Sequence, residues 1–156
     1  IFSDILRFEL NLLPRKQGLI LDGAPRNLKQ VGIVENLFQE FGRIIEAVFF
    51  VNISEKESIK RISKRWICQK CKKILIMGID IKREIDKCPV CGGNIFQRED
   101  DTEEGIKNRL KIFREETMPA INYFKQKGKL IEINGEQEIE KVRKDIEENL
   151  KNILTD

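Results

Sequence analysis

Two Cys-x-x-Cys pairs constrain this chain more than any other feature of its sequence. Cys68 and Cys71 form the first pair, Cys88 and Cys91 form the second, and the sequence contains no histidine. This spacing allows four thiolates to converge on one tetrahedral metal ion, and sulfur-only sites favour zinc or iron–sulfur chemistry. The stretch 66–98 is too short to bury a core of its own, so a metal has to stabilise it. We therefore expect a structural zinc ion, with iron at the same thiolates as an alternative.

Two disulfides would also account for four cysteines. The chain is rich in lysine and glutamate and shows no secretory character. Thiols stay reduced in the cytosol, whereas disulfides belong to secreted proteins. The sequence therefore favours a cytoplasmic protein whose cysteines are metal ligands.

The overall composition argues against nucleic acid and membrane as partners. The chain of 156 residues carries 29 Lys and Arg against 26 Asp and Glu, a net charge of +3. A face that binds nucleic acid needs a stronger and more clustered positive charge, and no apolar run approaches the length of a membrane span. The chain opens at Ile1 directly inside a helical pattern, so we expect the natural N-terminus to lie further upstream.

Helix and strand patterns alternate over the first fifty residues. Apolar spacing predicts a helix over 1–13 and another over 28–41, which Gly42 is placed to cap. Short apolar runs at 18–21 and 47–51 predict two buried strands. This alternation is typical of a parallel sheet covered by helices.

A capping box at Ser54 and Glu57 begins the next predicted helix. Arg61 and Arg65 are four residues apart, and on a helix they would share one face. The cysteine stretch breaks this pattern and is predicted to form an insertion. It contains two short β-type segments, 74–77 and 79–81.

The alternation resumes after the insertion. Asp101 and Glu104 are predicted to begin a helix as an N-cap pair, and Pro119 is predicted to bend or restart that helix. A third strand is predicted over 130–133 and a final helix over 139–153. The fold class is therefore α/β, with the cysteine stretch inserted between helices of the α/β body.

Two groups of residues could carry chemistry. Asp22-Gly23-Ala24-Pro25-Arg26 follows the first predicted strand, at the sheet edge where open parallel sheets bind ligands. A carboxylate there can orient water around magnesium, and an arginine can grip a phosphate with two hydrogen bonds. A plain strand-ending turn explains the same residues equally well.

The second group consists of arginines around the cysteine stretch, which could clamp phosphoryl oxygens if they converge. These arginines are Arg61, Arg65, Arg98 and Arg109. Solvated arginines on helix surfaces are the simpler explanation of this group alone. Asp100 and Asp101 could hold the neighbouring arginines, but a helix cap is their expected main role.

Together these residues resemble the adenylate kinase family, in particular its bacterial type with a long, metal-bearing lid. Residues 18–27 (GLILDGAPRN) are similar to the family's GFILDGFPRT, and Gln30 follows as in the family. Arg61-x-x-x-Arg65 resembles the entry to the lid. Residues 97–110 resemble its exit, R-x-D-D-x-x-E-x-x-x-x-R-L. Ile133-Asn134-Gly135 resembles the late strand whose turn meets adenine, so the resemblance extends over essentially the whole chain.

The resemblance implies a fold and a reaction. The fold is a P-loop NTPase-type parallel sheet with flanking helices, in which residues 1–61 and 101–156 form the core and residues 62–100 form a small zinc-bound β lid. The reaction is reversible phosphoryl transfer from ATP to AMP, giving two ADP, with magnesium accompanying ATP. The family also suggests a monomer.

The resemblance further implies roles for individual residues. The implied AMP-binding residues are Gly23, Ala24, Pro25, Arg26, Gln30, Arg98 and Arg109. The implied ATP-binding residues are Arg61, Arg65, Ile74, Leu75 and Gln137. Arg65, Arg98 and Arg109 would neutralise charge on the moving phosphoryl group, and Asp22 would act through magnesium-bound water. Such chemistry needs positioning and charge stabilisation more than a covalent nucleophile.

Three departures from the family pattern stand out. Ala24 occupies the place of the family's Phe, and Asn27 that of its Thr, so both changes are expected to weaken AMP binding rather than abolish it. The family's phosphate loop and first strand would precede Ile1. Because that strand lies in the middle of the family's sheet, we expect these 156 residues by themselves to be inactive and poorly folded.

Three other interpretations remain open at this point. The cysteines alone are consistent with a zinc-ribbon module that binds nucleic acid or protein. Another nucleoside monophosphate kinase, acting on UMP or CMP or using GTP, shares the same motifs. A remnant of a truncated gene without activity is the third.

Overall fold

The computed structural model describes residues 1–84 and 87–155, except for the side chain of Thr155. It divides into two compact units. The first unit contains Ile1–Asn52 and the chain from Ile112 onward, and the second unit contains Ile53–Lys111. The predicted lid bounds of 62–100 lie within the second unit.

The first unit combines helices with a parallel pair of strands. Its helices are α1 (Phe2–Leu12), α2 (Leu28–Glu40), α5 (Met118–Gln126) and α6 (Ile139–Thr155), and its strands are β1 (Val48–Asn52) and β5 (Leu130–Asn134). The two strands pair in parallel from Val48 opposite Leu130 to Asn52 opposite Asn134. These bounds confirm the predicted helices and the predicted second and third strands to within a few residues.

Helix α2 shows how local sequence sets an element's ends. The side chain of Asn27 accepts a hydrogen bond from the amide of Gln30 at 2.9 Å and caps the N-terminus. At the other end the amides of Gly42 and Arg43 donate to Gln39 and Phe38, which closes the helix with the predicted glycine.

Two apolar clusters hold the first unit together. Side chains of α1 and α2 form the first cluster, which contains Leu6, Leu10, Val34, Leu37 and Phe38. Val31, Ala120 and Phe124 form the second cluster, where α2 and α5 meet Val48 and Leu130 of the sheet. Burial of such side chains stabilises a fold by about 1.5–3 kcal/mol each.

The prediction of a strand over 18–21 is wrong. Among the described residues the parallel sheet consists of β1 and β5, and residues 18–21 do not form a ladder with either. Leu19 and Leu21 nevertheless pack against the first apolar cluster. The apolar run therefore correctly predicted that these side chains pack against the core, but a strand also needs a neighbouring backbone to pair with.

A π-helical segment, Phe113–Thr117, precedes α5. The amide of Met118 donates to the carbonyl of Phe113, five residues back. Pro119 explains this widened turn, because proline has no amide hydrogen and its ring clashes with the carbonyl four residues before it. The predicted effect of Pro119, a restart of the helix, is thus confirmed.

The second unit contains a small antiparallel sheet and two helices. Its elements are α3 (Glu55–Ile62), β2 (Arg65–Cys68), β3 (Ile74–Ile76), β4 (Ile95–Phe96), a 3-10 turn (Glu99–Asp101) and α4 (Glu103–Ile112), which ends at the boundary with the first unit. The strand order is β3-β2-β4. As the capping box predicts, the amide of Glu57 donates to the Ser54 hydroxyl at 3.3 Å.

Two predictions for this unit are wrong. Arg65 does not share a helix face with Arg61, because α3 ends at Ile62 and Arg65 pairs with Ile76 as the first residue of β2. Residues 79–81 form a turn with one bridge, from Met77 to Ile81, instead of a strand. The carboxylate of Asp80 accepts the amide of Ile76 at 2.8 Å and closes that turn.

Candidate functional site: a four-thiol centre and an arginine cluster

The four cysteines meet in the second unit. Their sulfur atoms all lie within 4.8 Å of one another. The Sγ–Sγ distance is 3.4 Å between Cys68 and Cys91 and 3.7 Å between Cys71 and Cys88. A tetrahedral zinc site with Zn–S bonds of about 2.3 Å places its sulfurs about 3.8 Å apart. The thiols therefore fit one metal ion, as their spacing predicts.

Two similar turns present these thiols. In the first, the amide of Lys72 donates to the carbonyl of Cys68 at 3.0 Å; in the second, the amide of Gly92 donates to the carbonyl of Cys88 at 2.8 Å. Gly93 leaves room beside the sulfurs, since a Cβ there would lie 3.0 Å from the Cys68 sulfur. The two turns therefore bring the sulfurs together, and a residue larger than glycine at position 93 would not fit beside them.

The thiols differ in how readily they ionise. The backbone amide of Cys71 donates to the Cys68 sulfur and is the largest cause that lowers the pKa of Cys68 to about 6. The amide of Lys73 acts in the same sense on Cys71, but hydrogen bonding with Cys91 and burial outweigh it and raise the pKa of Cys71 to about 11. Thiols this close together resist full ionisation unless a cation binds among them.

Three arginines converge on two neighbouring aspartates in the same unit. Arg65 donates to both oxygens of Asp101, at 2.9 and 2.5 Å. Arg109 on α4 donates to Asp101 at 3.2 Å and to Asp100 at 3.3 Å, and Arg98 donates to Asp100 at 2.8 Å. We call these five residues the arginine cluster. It concentrates guanidinium groups that are suited to phosphoryl oxygens.

The expectation that Asp101 caps the following helix is wrong. The hydroxyl of Thr102 takes that role and accepts the amide of Gly105 at 3.2 Å. The side chain of Asp101 is 0% exposed, and its bonds to Arg65 and Arg109 satisfy the buried charge. The alternative expectation, that Asp100 and Asp101 hold the neighbouring arginines, is confirmed.

The fourth arginine lies elsewhere in the second unit. Arg61 donates to Glu57 one helical turn earlier on α3, at 2.8 Å. Of the predicted lid contacts to ATP, Leu75 is fully buried against the cysteines, whereas Ile74 is exposed. Any contact from Leu75 would therefore involve its backbone.

Five of the predicted AMP-binding residues, from Gly23 to Arg26 and Gln30, lie close together in the first unit, whereas Arg98 and Arg109 belong to the second unit. The guanidinium Nε of Arg26 donates to the carbonyl of Gly23 at 2.7 Å, and the amide of Arg26 donates to the side chain of Gln30, also at 2.7 Å. The peptide bond between Ala24 and Pro25 is cis. These bonds bring Arg26 and Gln30 together on one turn at the start of α2.

Asp22 and Gln137 also belong to the first unit. Asp22 is exposed next to this turn. Gln137 follows β5 and donates to Asp145 on α6.

Similarity to known proteins places the chain in the class of nucleoside monophosphate kinases, and its α/β core and arginine-bearing second unit agree with that class. The adenylate kinase family model matches residues 1–129. The chain belongs to the adenylate kinase family.

Several relatives of this chain are themselves named adenylate kinase. "Adenylate kinase" of Thermosipho africanus is 36% identical over 145 residues, which cover 92% of this chain and 67% of that protein. "Adenylate kinase" of Archaeoglobus fulgidus is 37% identical over 88% of this chain and 64% of that protein. "Adenylate kinase" of Dehalococcoides mccartyi is 41% identical over 83% of this chain and 59% of its own length. The chain thus spans between 59% and 67% of the length of these relatives.

No helix in the described part of the chain combines the length and the apolar composition that crossing a bilayer requires.

Proposed function

We propose that the natural protein transfers a phosphoryl group reversibly from ATP to AMP, giving two ADP. The observation that carries this proposal is the arginine cluster, in which Arg65, Arg98 and Arg109 are held by Asp100 and Asp101. Guanidinium groups at fixed positions neutralise the oxygens of a moving phosphoryl group, and such a reaction depends on positioning and charge stabilisation more than on a covalent nucleophile. Membership of the adenylate kinase family supports the same reaction.

On the AMP side, we assign the turn before α2. Arg26 would bind the phosphate of AMP, and Gln30 would bind its adenine. Gly23, Ala24 and Pro25 would shape the turn that brings them together. The hydrogen bonds of Arg26 to Gly23 and Gln30 support this assignment, because they already orient both side chains. We also assign Arg98 and Arg109 to AMP binding.

On the ATP side, we assign residues of the second unit and of the late loop. Arg61 and Arg65 would contact ATP, with Ile74, Leu75 and Gln137 beside it. Magnesium accompanies ATP in this family and shields its phosphates, and Asp22 would orient water bound to that ion.

We further propose that the four thiolates hold zinc and that the second unit acts as a lid. Zinc suits a tetrahedral set of four sulfurs, and the sulfur positions fit its bond lengths. A metal would keep the lid rigid, so that it closes over the nucleotides as one body and excludes water. Elemental analysis of the purified protein separates zinc from iron.

We place this activity in the cytoplasm, in a monomer. The free thiols of the four cysteines support a reducing compartment, where such groups persist as metal ligands. Size-exclusion chromatography with light scattering tests the oligomeric state.

The test of the proposed function is a coupled assay for ADP formation from ATP and AMP, run on the natural protein. A glycine-rich phosphate loop encoded upstream of Ile1 would favour an active enzyme over an inactive remnant. Parallel assays with UMP, CMP and GTP test the choice of base, for which Gln30 favours adenine.

Chelation of the metal separates an enzyme from a zinc-ribbon module. The enzyme should lose thermal stability while part of its nucleotide binding survives, whereas a ribbon module would lose all of its binding. Absence of ADP formation by the natural protein would contradict the proposal.

A further inference from the structure

The two aspartates of the arginine cluster are adjacent in sequence but differ in their surroundings. The side chain of Asp101 is 0% exposed, whereas that of Asp100 is 41% exposed. The partners follow the same division, since Arg65 on Asp101 is 22% exposed and Arg98 on Asp100 is 49% exposed. One carboxylate is therefore sealed inside the unit and the other is open to solvent.

Asp101 has the properties of a permanent anchor. It receives two hydrogen bonds from Arg65 and one from Arg109, which link β2 to α4. The bond to Asp101 raises the pKa of Arg65 further above its usual value. Removing one partner of a buried pair leaves an uncompensated charge, so this arrangement resists exchange.

Asp100 has the properties of an exchangeable partner. Its bonds run to Arg98 and Arg109, whose side chains are 49% and 40% exposed. Desolvation raises the pKa of Asp100, but the hydrogen bond from Arg98 and the charges of both arginines outweigh it and lower that pKa. Asp100 is therefore ionised at neutral pH, and exposed ion pairs of this kind contribute little to stability.

The backbone of Asp100 is fixed even though its side chain is exposed. A Cβ at Gly105 would lie 2.8 Å from the carbonyl oxygen of Asp100, so the first turn of α4 presses directly on this peptide. The amide of Asp101 also donates to the carbonyl of Arg98 at 3.0 Å. Only the side chain of Asp100 is free to move away from the arginines.

We infer that Asp101 positions Arg65 and Arg109 for a phosphoryl anion, whereas Asp100 is a placeholder that occupies Arg98 and Arg109 until that anion displaces it. The inference rests on the proposed function, because it takes the anion to be a nucleotide phosphate. A phosphate group offers more charge and more acceptor oxygens than the carboxylate that it would replace.

The experiment compares D100N, D101N and the control E103Q in the natural protein. Glu103 is an exposed carboxylate at the start of α4, just after the turn that contains Asp100 and Asp101, and it pairs with Lys107 instead of an arginine of the cluster. Calorimetry would measure the affinity for ATP and for inorganic pyrophosphate, with kcat and the thermal midpoint measured on the same samples. NMR of the arginine Nε–H groups would report whether Arg65 stays hydrogen-bonded to residue 101.

We expect D100N to bind pyrophosphate about two- to fivefold more tightly, which corresponds to weakening of the exposed ion pairs that Asp100 makes with Arg98 and Arg109. We expect D101N to bind at least about tenfold more weakly, to lose kcat and to lose the Arg65 Nε–H signal. The E103Q control should match the wild type. If D101N fails to fold, D101E and D100E are compared instead. Of these two variants, only D101E should weaken pyrophosphate binding.

Several outcomes would overturn the inference. Equal weakening by D100N and D101N would make Asp100 an anchor as well. A loss of thermal stability in D101N with unchanged affinity and kcat would show a purely structural role. No pyrophosphate binding by the wild type would remove the placeholder role, whereas pyrophosphate binding without ADP formation would count against the proposed function alone.

Discussion

Lys72 and Gly92 occupy the same place in the two cysteine turns, directly after the second cysteine of each pair. Their φ angles are 61° and 68°, in the left-handed region. Glycine adopts this conformation freely, whereas a residue with a Cβ pays about 1–2 kcal/mol for it. The first turn therefore carries strain that the second turn avoids.

We predict that Lys72→Gly stabilises the metal-bound protein by about 0.5–1 kcal/mol, because relief of this strain exceeds the added flexibility of the unfolded chain. The reciprocal change Gly92→Lys should destabilise it by about 1–2 kcal/mol. Chemical denaturation at saturating zinc measures both. Lys73→Gly is the matched control, and stabilisation by that change as well would argue against strain at residue 72.

Glu35 is a second residue whose surroundings have a testable effect, in this case on its pKa. It accepts hydrogen bonds from Tyr123 at 2.6 Å and from Lys127 at 2.9 Å, which tie α2 to α5. Desolvation raises the pKa of Glu35, but these two bonds outweigh it and leave the pKa below its usual value. The stability that the carboxylate contributes is therefore present at neutral pH and is lost as pH falls below its unfolded pKa of about 4.3.

We predict that the free energy of unfolding falls less steeply between pH 5 and pH 3 in Glu35→Gln than in the wild type. The variant should be less stable at pH 7, since the charged hydrogen bonds are weakened. Urea titrations across this pH range provide the measurement. Parallel curves for the two proteins would show that Glu35 does not titrate with folding.

Helices α2 and α4 each contain a glycine in helical conformation, but the two positions differ in what surrounds them. A Cβ at Gly32 meets nothing within 4 Å, whereas a Cβ at Gly105 lies within 3 Å of the backbone of Asp100. Glycine in a helix is unfavourable relative to alanine by about 0.5–1 kcal/mol. Gly105 therefore has a packing role that its helix propensity opposes.

We predict that Gly32→Ala raises the free energy of unfolding by about 0.5–1 kcal/mol. Gly105→Ala should lower it in spite of the same gain in propensity, because backbone at Asp100 has to shift. Thermal or urea unfolding of the two variants side by side makes each the control for the other. A higher free energy of unfolding in both variants would show that the contact at Gly105 relaxes easily.

Element by element, the sequence predicted what depends on local pattern and missed what depends on partners. Periodicity and caps located α2, β1, β5 and α6, because their signals lie within the elements themselves. The strand predicted over 18–21 failed because pairing needs a neighbour. The sequence offered the pairing of Asp101 with an arginine only as an alternative to a helix cap, because the contact between Arg65 and Asp101 joins residues far apart in sequence. The four thiols were predictable because cysteine spacing alone restricts their geometry.

At the scale of the whole molecule, a metal at the four thiols is expected to stabilise the second unit alone. The first unit has its own apolar clusters, whereas the second unit buries its small core around the cysteines. We predict that chelation removes amide protection in β2, β3 and β4 and leaves α1 and α2 protected. Hydrogen exchange with mass spectrometry measures this. Simultaneous loss of protection in all five elements would mean that the units unfold together.

The second unit is one continuous stretch of chain, but the first unit is made of two pieces. Val48 of the early piece pairs with Leu130 of the late piece. In sequence, the whole second unit comes between these two residues. During synthesis the second unit leaves the ribosome before β5 exists, so it can fold while β1 still lacks its partner. Its collapse draws the two ends of the intervening chain together, which lowers the entropic cost of joining β1 to β5. A metal that stabilises the second unit would thereby also favour closure of the parallel sheet.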